Sequence, residues 1–114
     1  MNLTIRRSAG VLTGFLALGA CASAPEPTER LVSAQAAMRA AKEVGAHEYP
    51  QAQLHAQLAQ EELERAQKLI EDGDNERAER LLWRATADAE LAVAVAKEGA
   101  SKKEAEAAEG TVGK

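Results

Sequence analysis

Two long rows of small apolar residues limit the possible folds of this chain more than any other feature. Between residues 50 and 72, apolar side chains recur at steps of three and four, at Ala52, Ala56, Ala59, Leu63, Ala66 and Ile70. After residue 75 the same steps connect Ala78, Leu82, Ala85, Ala89, Ala92, Ala96 and Gly99. Such steps place side chains on one side of an α-helix. The sequence therefore predicts two long helices, each with one side made mainly of alanine.

The stretch between the two rows predicts a tight turn. Gly73 can adopt the left-handed backbone conformation that ends a helix, because it has no Cβ atom. Asp74 or Asn75 can then accept hydrogen bonds from the first free N–H groups of the next helix. Two helices joined so closely lie antiparallel, and their alanine sides let the axes approach. We therefore expect an antiparallel helical hairpin.

A third helix is expected on the N-terminal side of this hairpin. Thr28 is a candidate N-cap and Gly45 a candidate helix end. Helical spacing between them connects Leu31, Ala34, Met38 and Ala41. Pro50 suits the first position of the following helix, because an N–H group there has no helical partner in any case. The predicted fold is all-α, a small three-helix bundle over residues 28–99.

The composition agrees with a helical fold. The chain has one Phe, one Tyr and one Trp, and Pro50 is its last proline, which is typical of long helices rather than of a sheet. Residues 100–114 are expected to extend the long C-terminal helix while burying little, and to end in a disordered tail from Gly110.

The N-terminal residues have the pattern of a secretory signal. Arg6 and Arg7 precede an apolar run over residues 9–20, about 12 residues long, whereas a membrane-spanning helix needs about 20. The run ends in Leu18-Gly19-Ala20-Cys21, which resembles the bacterial lipobox. This resemblance implies that signal peptidase II recognises the three residues before the cysteine, that Cys21 receives a diacylglyceryl group, and that its new amine is acylated.

Residues 1–20 are therefore expected to be a cleaved signal peptide and residues 21–27 a lipidated tether. Pro25 and Pro27 disfavour helix in the residues before them. Two or three acyl chains hold a protein stably on a bilayer, since each buried CH₂ contributes about 0.8 kcal/mol. Cys21 is not followed by the Asp that retains enteric lipoproteins at the inner membrane, so the resemblance favours the periplasmic side of the outer membrane. The alternative is a secreted protein whose cysteine follows the signal by chance.

The helical part resembles a bacterial family, the domain of unknown function numbered 4398. The resemblance rests on Tyr49-Pro50, Leu63, Ala66, Ile70, Gly73-Asp74, Glu76-Arg77-Ala78, Leu82, Ala85 and Asp88-Ala89-Glu90-Leu91-Ala92, within residues 30 to 98. Members are typically small helical lipoproteins, and some carry an OmpA-like peptidoglycan-binding domain downstream. No such domain follows here, so peptidoglycan binding by that route is not expected. The resemblance implies a fold and a compartment, and no activity.

Several kinds of site are not expected. The formal charge of −4 becomes −6 without Arg6 and Arg7, and an acidic body argues against nucleic acid and anionic lipid surfaces as partners. His47 and His55 lack a metal-binding spacing and are interpreted as solvated histidines. The single cysteine is assigned to lipid, and no glycine-rich phosphate loop is present. We expect no catalytic residue, no metal, no small-molecule substrate, and no cofactor beyond the covalent lipid on Cys21.

Trp83 is a candidate contact for a partner protein. It lies one residue from the row at Leu82, on the flank of its helix. A flanking Trp can anchor a partner, but packing over the first helix is the favoured interpretation, because aromatic residues dominate small cores. Tyr49 is expected to close one end of the bundle in the same way.

The leading hypothesis is a non-enzymatic lipoprotein of the outer membrane that acts as a structural or protein-interaction module. Its thin core favours a partner protein or a homo-oligomer. A helical-repeat-like adaptor and a coiled-coil self-associating lipoprotein are the alternatives, although the break at Gly73 argues against one continuous rod. An enzyme would require a cleft with converging polar groups.

Overall fold

A computed structural model describes residues 23–113 and shows three α-helices and one short 3₁₀ helix, with no strand in that part of the chain. The helices are α1 (Thr28–Glu43), α2 (Pro50–Glu71) and α3 (Asn75–Val112), and the 3₁₀ helix (Ala46–Glu48) lies between α1 and α2. The predicted all-α bundle is confirmed. Helix α1 lies mainly against α3 and contacts α2 much less.

The turn between α2 and α3 has the predicted construction. Gly73 has a φ of 78°, and its N–H donates to the Ile70 carbonyl at 3.0 Å. The Asp74 N–H donates to the Leu69 carbonyl at 2.8 Å, which gives the end of α2 its remaining partners. Asp74, and not Asn75, is the N-cap of α3, because its side chain accepts from the Arg77 N–H at 3.3 Å.

The start of α1 differs from the prediction. Thr28 was expected to cap this helix, but it is the first helical residue, and Pro27 occupies the cap position without a side-chain hydrogen bond. The Pro27 carbonyl accepts the Leu31 N–H at 3.0 Å, so the helical pattern begins one residue earlier than expected. At the other end, Gly45 follows α1 with a φ of 70°. Pro50 is the first residue of α2, as predicted.

The apolar rows form the interior. The buried residues of α1 and α2 in these rows are Ala34, Met38, Ala41, Ala52, Ala59, Leu63 and Ala66. Those of α3 are Ala78, Leu82, Ala85, Ala89, Ala92 and Ala96. Leu82 is the largest side chain that is completely buried. Tyr49 closes one end of the bundle as expected, since its ring packs so tightly on Gly99 that a Cβ atom there would collide with it.

Helix α3 is longer than the bundle that it supports. It continues through residues 101–112, all of which are exposed. The expected helical extension is therefore present. The expectation of a disordered tail from Gly110 is corrected, since residues up to Val112 are helical. Alanine and glutamate favour helix strongly enough to continue α3 without tertiary packing.

Candidate functional site: the outer face of the hairpin

The side of the α2–α3 hairpin that faces away from α1 carries most of the polar chemistry, and we call it the outer face. A polar cluster lies across its centre. Glu62 Oε1 of α2 lies 2.7 Å from Arg84 Nη2 of α3, and His55 Nδ1 lies 3.1 Å from Asp88 Oδ1. Sequence reasoning missed this cluster. Its signal is the register: Glu62 and Arg84 are each eleven residues from Gly73, so an antiparallel hairpin brings them together.

Glu62 is the one buried charged residue in the described part of the chain, with 5% of its surface exposed. Burial raises the pKa of its carboxyl above the ordinary value of 4.5, Arg84 opposes that shift, and the neighbouring Asp88 adds to it. Its Oε2 atom has no hydrogen-bond partner within residues 23–113. The carboxyl group is therefore held through Oε1. Protonation of Oε2 would give that oxygen an O–H group that can donate a hydrogen bond.

His55 does not have the solvated surroundings that the sequence suggested. Its side chain is 28% exposed and pairs with Asp88, whose side chain is 25% exposed. His47 is exposed, as expected. Within residues 23–113 no group of three or more His, Cys, Asp or Glu side chains is arranged to hold a metal ion.

A groove between α2 and α3 near the Gly73 turn is the second feature of the outer face. Its volume is about 550 Å³, and we call it the basic groove because its charged lining consists of Arg65, Lys68, Arg77, Arg80 and Arg84. Leu69 and Leu81 complete the lining, and no acidic residue takes part in it. The sequence showed five basic residues here, but only the antiparallel register brings them to one groove.

Carboxylates accompany the arginines at the edges of the basic groove. Arg65 lies 3.7 Å from Glu61, Arg77 3.2 Å from Asp74, Arg80 3.8 Å from Glu76, and Arg84 2.7 Å from Glu62. The first three pairs are largely exposed to solvent and therefore weak. Lys68 forms no ion pair with any residue that the structure describes.

The third feature of the outer face is a set of three exposed leucines farther from the turn than the Glu62–Arg84 pair, which we call the leucine patch. Leu54 is 54% exposed and Leu58 39% exposed, on successive turns of α2. Leu91 of α3 is 43% exposed, and the antiparallel register places it level with Leu54. Single exposed leucines are ordinary on protein surfaces, but three at neighbouring levels of one hairpin form a candidate contact area.

Trp83 lies on the opposite flank of α3, beside α1. The guanidinium carbon of Arg30 in α1 lies 3.6 Å from the centre of the Trp83 ring, a cation–π arrangement. The expected contact between Trp83 and α1 is thus present, and the charged side chain of Arg30 makes it. Trp83 remains 51% exposed.

The tether returns to the turn end of the hairpin. Asn75 Nδ2 donates to the Ala24 carbonyl at 2.6 Å, across a separation of 51 residues. The predicted lipidation residue Cys21 and the recognition residues Leu18, Gly19 and Ala20 lie outside the described residues. No helix in residues 23–113 combines the length and hydropathy that crossing a bilayer requires.

Comparison with known proteins gives one match. A family described as Domain of unknown function (DUF4398) matches residues 29–108. No curated protein and no solved structure matches the chain.

Proposed function

This chain belongs to the DUF4398 family, and from that premise we propose that it is a lipoprotein of the outer membrane, anchored through Cys21, that acts as a non-enzymatic structural or protein-interaction module. The observation that carries the proposal is the leucine patch. Leu54, Leu58 and Leu91 lie exposed on a hairpin whose interior is already filled by alanine rows.

The anchor is supported by the sequence Leu18-Gly19-Ala20-Cys21 after an apolar run. The geometry of the tether is compatible with it. Residues 23–27 contain no helix, and Ala24 is held at the turn end by Asn75. An anchor that precedes Ala24 by three residues would thus leave the folded body from one defined end.

The interaction role is supported by the difference between interior and surface. The buried interior consists mainly of alanine with Met38, Leu63 and Leu82, and the leucines at residues 54, 58 and 91 lie outside it. Covering an exposed leucine by a partner would remove apolar area from water at about 25 cal/mol per Å². A partner helix or a second copy of this patch would supply the apolar surface that such burial needs.

Labelling of cells with palmitate tests the anchor. The wild-type chain should incorporate label, the Cys21→Ala variant should not, and Ser23→Ala, a neighbouring control, should be labelled like wild type. Equal labelling of wild type and Cys21→Ala would contradict the anchor.

Site-specific photo-cross-linking in cells tests the interaction role. A photoreactive residue at position 58 should give a discrete adduct, whereas one at Val32, which is 56% exposed on α1, should not. Position 83 tests the candidate contact at Trp83 in the same experiment. An adduct of twice the chain mass favours self-association, and a different mass favours a partner protein. The absence of any adduct specific to position 58 or 83 would contradict both self-association and binding of a partner protein through these residues.

A further inference from the structure

The basic groove concentrates positive charge in a protein that is acidic as a whole. Five cationic side chains line about 550 Å³ of space between α2 and α3, and the lining contains no carboxylate. Acidic residues near the turn pair with the arginines of the groove. Glu61, Asp74 and Glu76 pair at the edges with arginines, and Glu79 lies beside the tether. Glu62 pairs with Arg84 at 2.7 Å, so Lys68 is the one cation of the groove without an ion pair among the described residues.

The arginines of the groove can accept an additional anion at little cost. Arg65, Arg77 and Arg80 form exposed ion pairs with carboxylates. These pairs contribute little to stability because water screens them. Lys68 forms no ion pair within residues 23–113, so its ammonium group has its full donor capacity. Guanidinium groups bind phosphate oxygens through two parallel hydrogen bonds, which favours phosphate over a single-point anion.

The position of the groove identifies the source of phosphate. Ala24 is held against Asn75, and Cys21 precedes Ala24 by three residues, which can span at most about 10 Å. Arg77 and Arg84 lie two and nine residues along α3 from Asn75, which corresponds to about 3 and 14 Å at 1.5 Å per residue. The basic groove therefore lies at the same end of the bundle as the expected lipid anchor.

We propose that the basic groove binds the phosphodiester of a membrane phospholipid headgroup. Arg77, Arg80 and Lys68 contact the phosphate oxygens, and Leu69 and Leu81 contact the glycerol and the first methylenes beside it. The choice of a lipid as the source of phosphate rests on the proposed anchor at Cys21. This proposal departs from the expectation that the acidic composition argues against anionic lipid surfaces.

The test uses the full chain, extracted from membranes in a neutral maltoside detergent. Dioleoylphosphatidylglycerol, dioleoylglycerol and inorganic phosphate are titrated separately, and backbone amide chemical shifts of residues 77–81 report occupancy. The phosphatidylglycerol should give saturable shifts, while dioleoylglycerol, which lacks the phosphate group, should give none. Inorganic phosphate should bind at least about tenfold more weakly than the lipid, since it makes no contact with the leucines.

Two triple variants with equal loss of charge test the location. Replacing Lys68, Arg77 and Arg80 by Gln should weaken phosphatidylglycerol binding about tenfold or more. The control replaces Arg39, Lys42 and Lys97 by Gln, outside the groove, and should change binding less than about threefold. Lys68→Gln alone breaks no ion pair among the described residues. It should weaken binding about threefold, and it keeps the test informative if the triple variant is unstable.

Three results would overturn the proposal: no saturable shift with phosphatidylglycerol, equal weakening by the two triple variants, or binding of inorganic phosphate as tight as that of the lipid. Mass spectrometry of the same preparation tests the anchor separately. An unmodified Cys21 contradicts the proposed function, whereas the titration still measures the groove, because the phospholipid is supplied from outside.

Discussion

The two halves of the outer face differ although the same flanks of the same two helices form them. Near the Gly73 turn the flanking residues are arginine and lysine around Leu69 and Leu81. Farther from the turn they include three exposed leucines and the His55–Asp88 pair, and the ion pair of Glu62 with Arg84 lies between the two regions. The interior behind both halves consists mainly of alanine, together with Met38, Leu63 and Leu82. Residues that decide the fold and residues that give the surface its chemistry are thus separated by position on the helix.

This separation explains why the two halves can differ without a change in fold. Alanine rows determine how closely the helices approach, and they leave the flanks free to carry charge in one half and apolar surface in the other. The comparison depends on four assumptions. Three of them are that the leucine patch is surface, that the turn determines which residues meet, and that the tether is held at the turn end of the hairpin. A fourth assumption is that the polar cluster marks the boundary.

The largest expected effect distinguishes interior leucine from patch leucine. Leu82→Ala should lower the free energy of unfolding by about 2–5 kcal/mol, because Leu82 is completely buried. Leu58→Ala, the same change at a residue that is 39% exposed, should cost less than about 1 kcal/mol. Urea unfolding followed by circular dichroism measures both. Similar losses for the two variants would show that the leucine patch is part of the core.

The second effect concerns the turn that sets the register of both halves. Gly73→Ala should destabilise the chain by about 1–2 kcal/mol, because its φ of 78° is strained for a residue with a Cβ atom. No atom lies within 4 Å of the added methyl group, so the cost comes from the backbone alone. Gly110→Ala, in the helical part of α3, is the matched control and should be neutral or stabilising. A neutral Gly73→Ala would show that another residue determines the register.

The comparison of the two halves also shows how much the sequence could predict. Helical spacing predicted the buried apolar residues of all three helices, and the glycine and proline positions predicted the ends of α1 and α2 to within about two residues, because local backbone chemistry decides both. The basic groove and the polar cluster were not predicted. They depend on which residues of α2 and α3 lie side by side, a property of the assembled pair rather than of either helix.

The third effect concerns the tether. Asn75→Asp should release Ala24 at a cost of about 0.5–1.5 kcal/mol, since a carboxylate has the same shape but no N–H to donate. Aspartate in the first turn of α3 favours the helix, so lost stability would come from the tether. Hydrogen exchange should become faster at Thr28, whose N–H donates to Glu26, and stay unchanged at Leu82. Unchanged exchange at Thr28 would show that the tether is held to the basic half by other contacts.

The smallest effect concerns the polar cluster between the two halves. The pKa of Glu62 is raised by burial, so the native state keeps this proton to a higher pH than the unfolded state does, and stability from this group falls as pH rises above 4.5. Arg84 opposes the shift, which keeps the effect small. Unfolding by urea from neutral pH down towards 4.5 should therefore show wild type gaining stability relative to Glu62→Gln.

Glu61→Gln is the matched control for this measurement, because Glu61 lies next to Glu62 and its side chain is 62% exposed. This variant should follow the wild-type pH dependence throughout. If Glu62→Gln also follows it, the carboxyl group of Glu62 is solvated in the native state. The boundary between the basic groove and the leucine patch would then be an ordinary surface ion pair, and the two halves would form one continuous face.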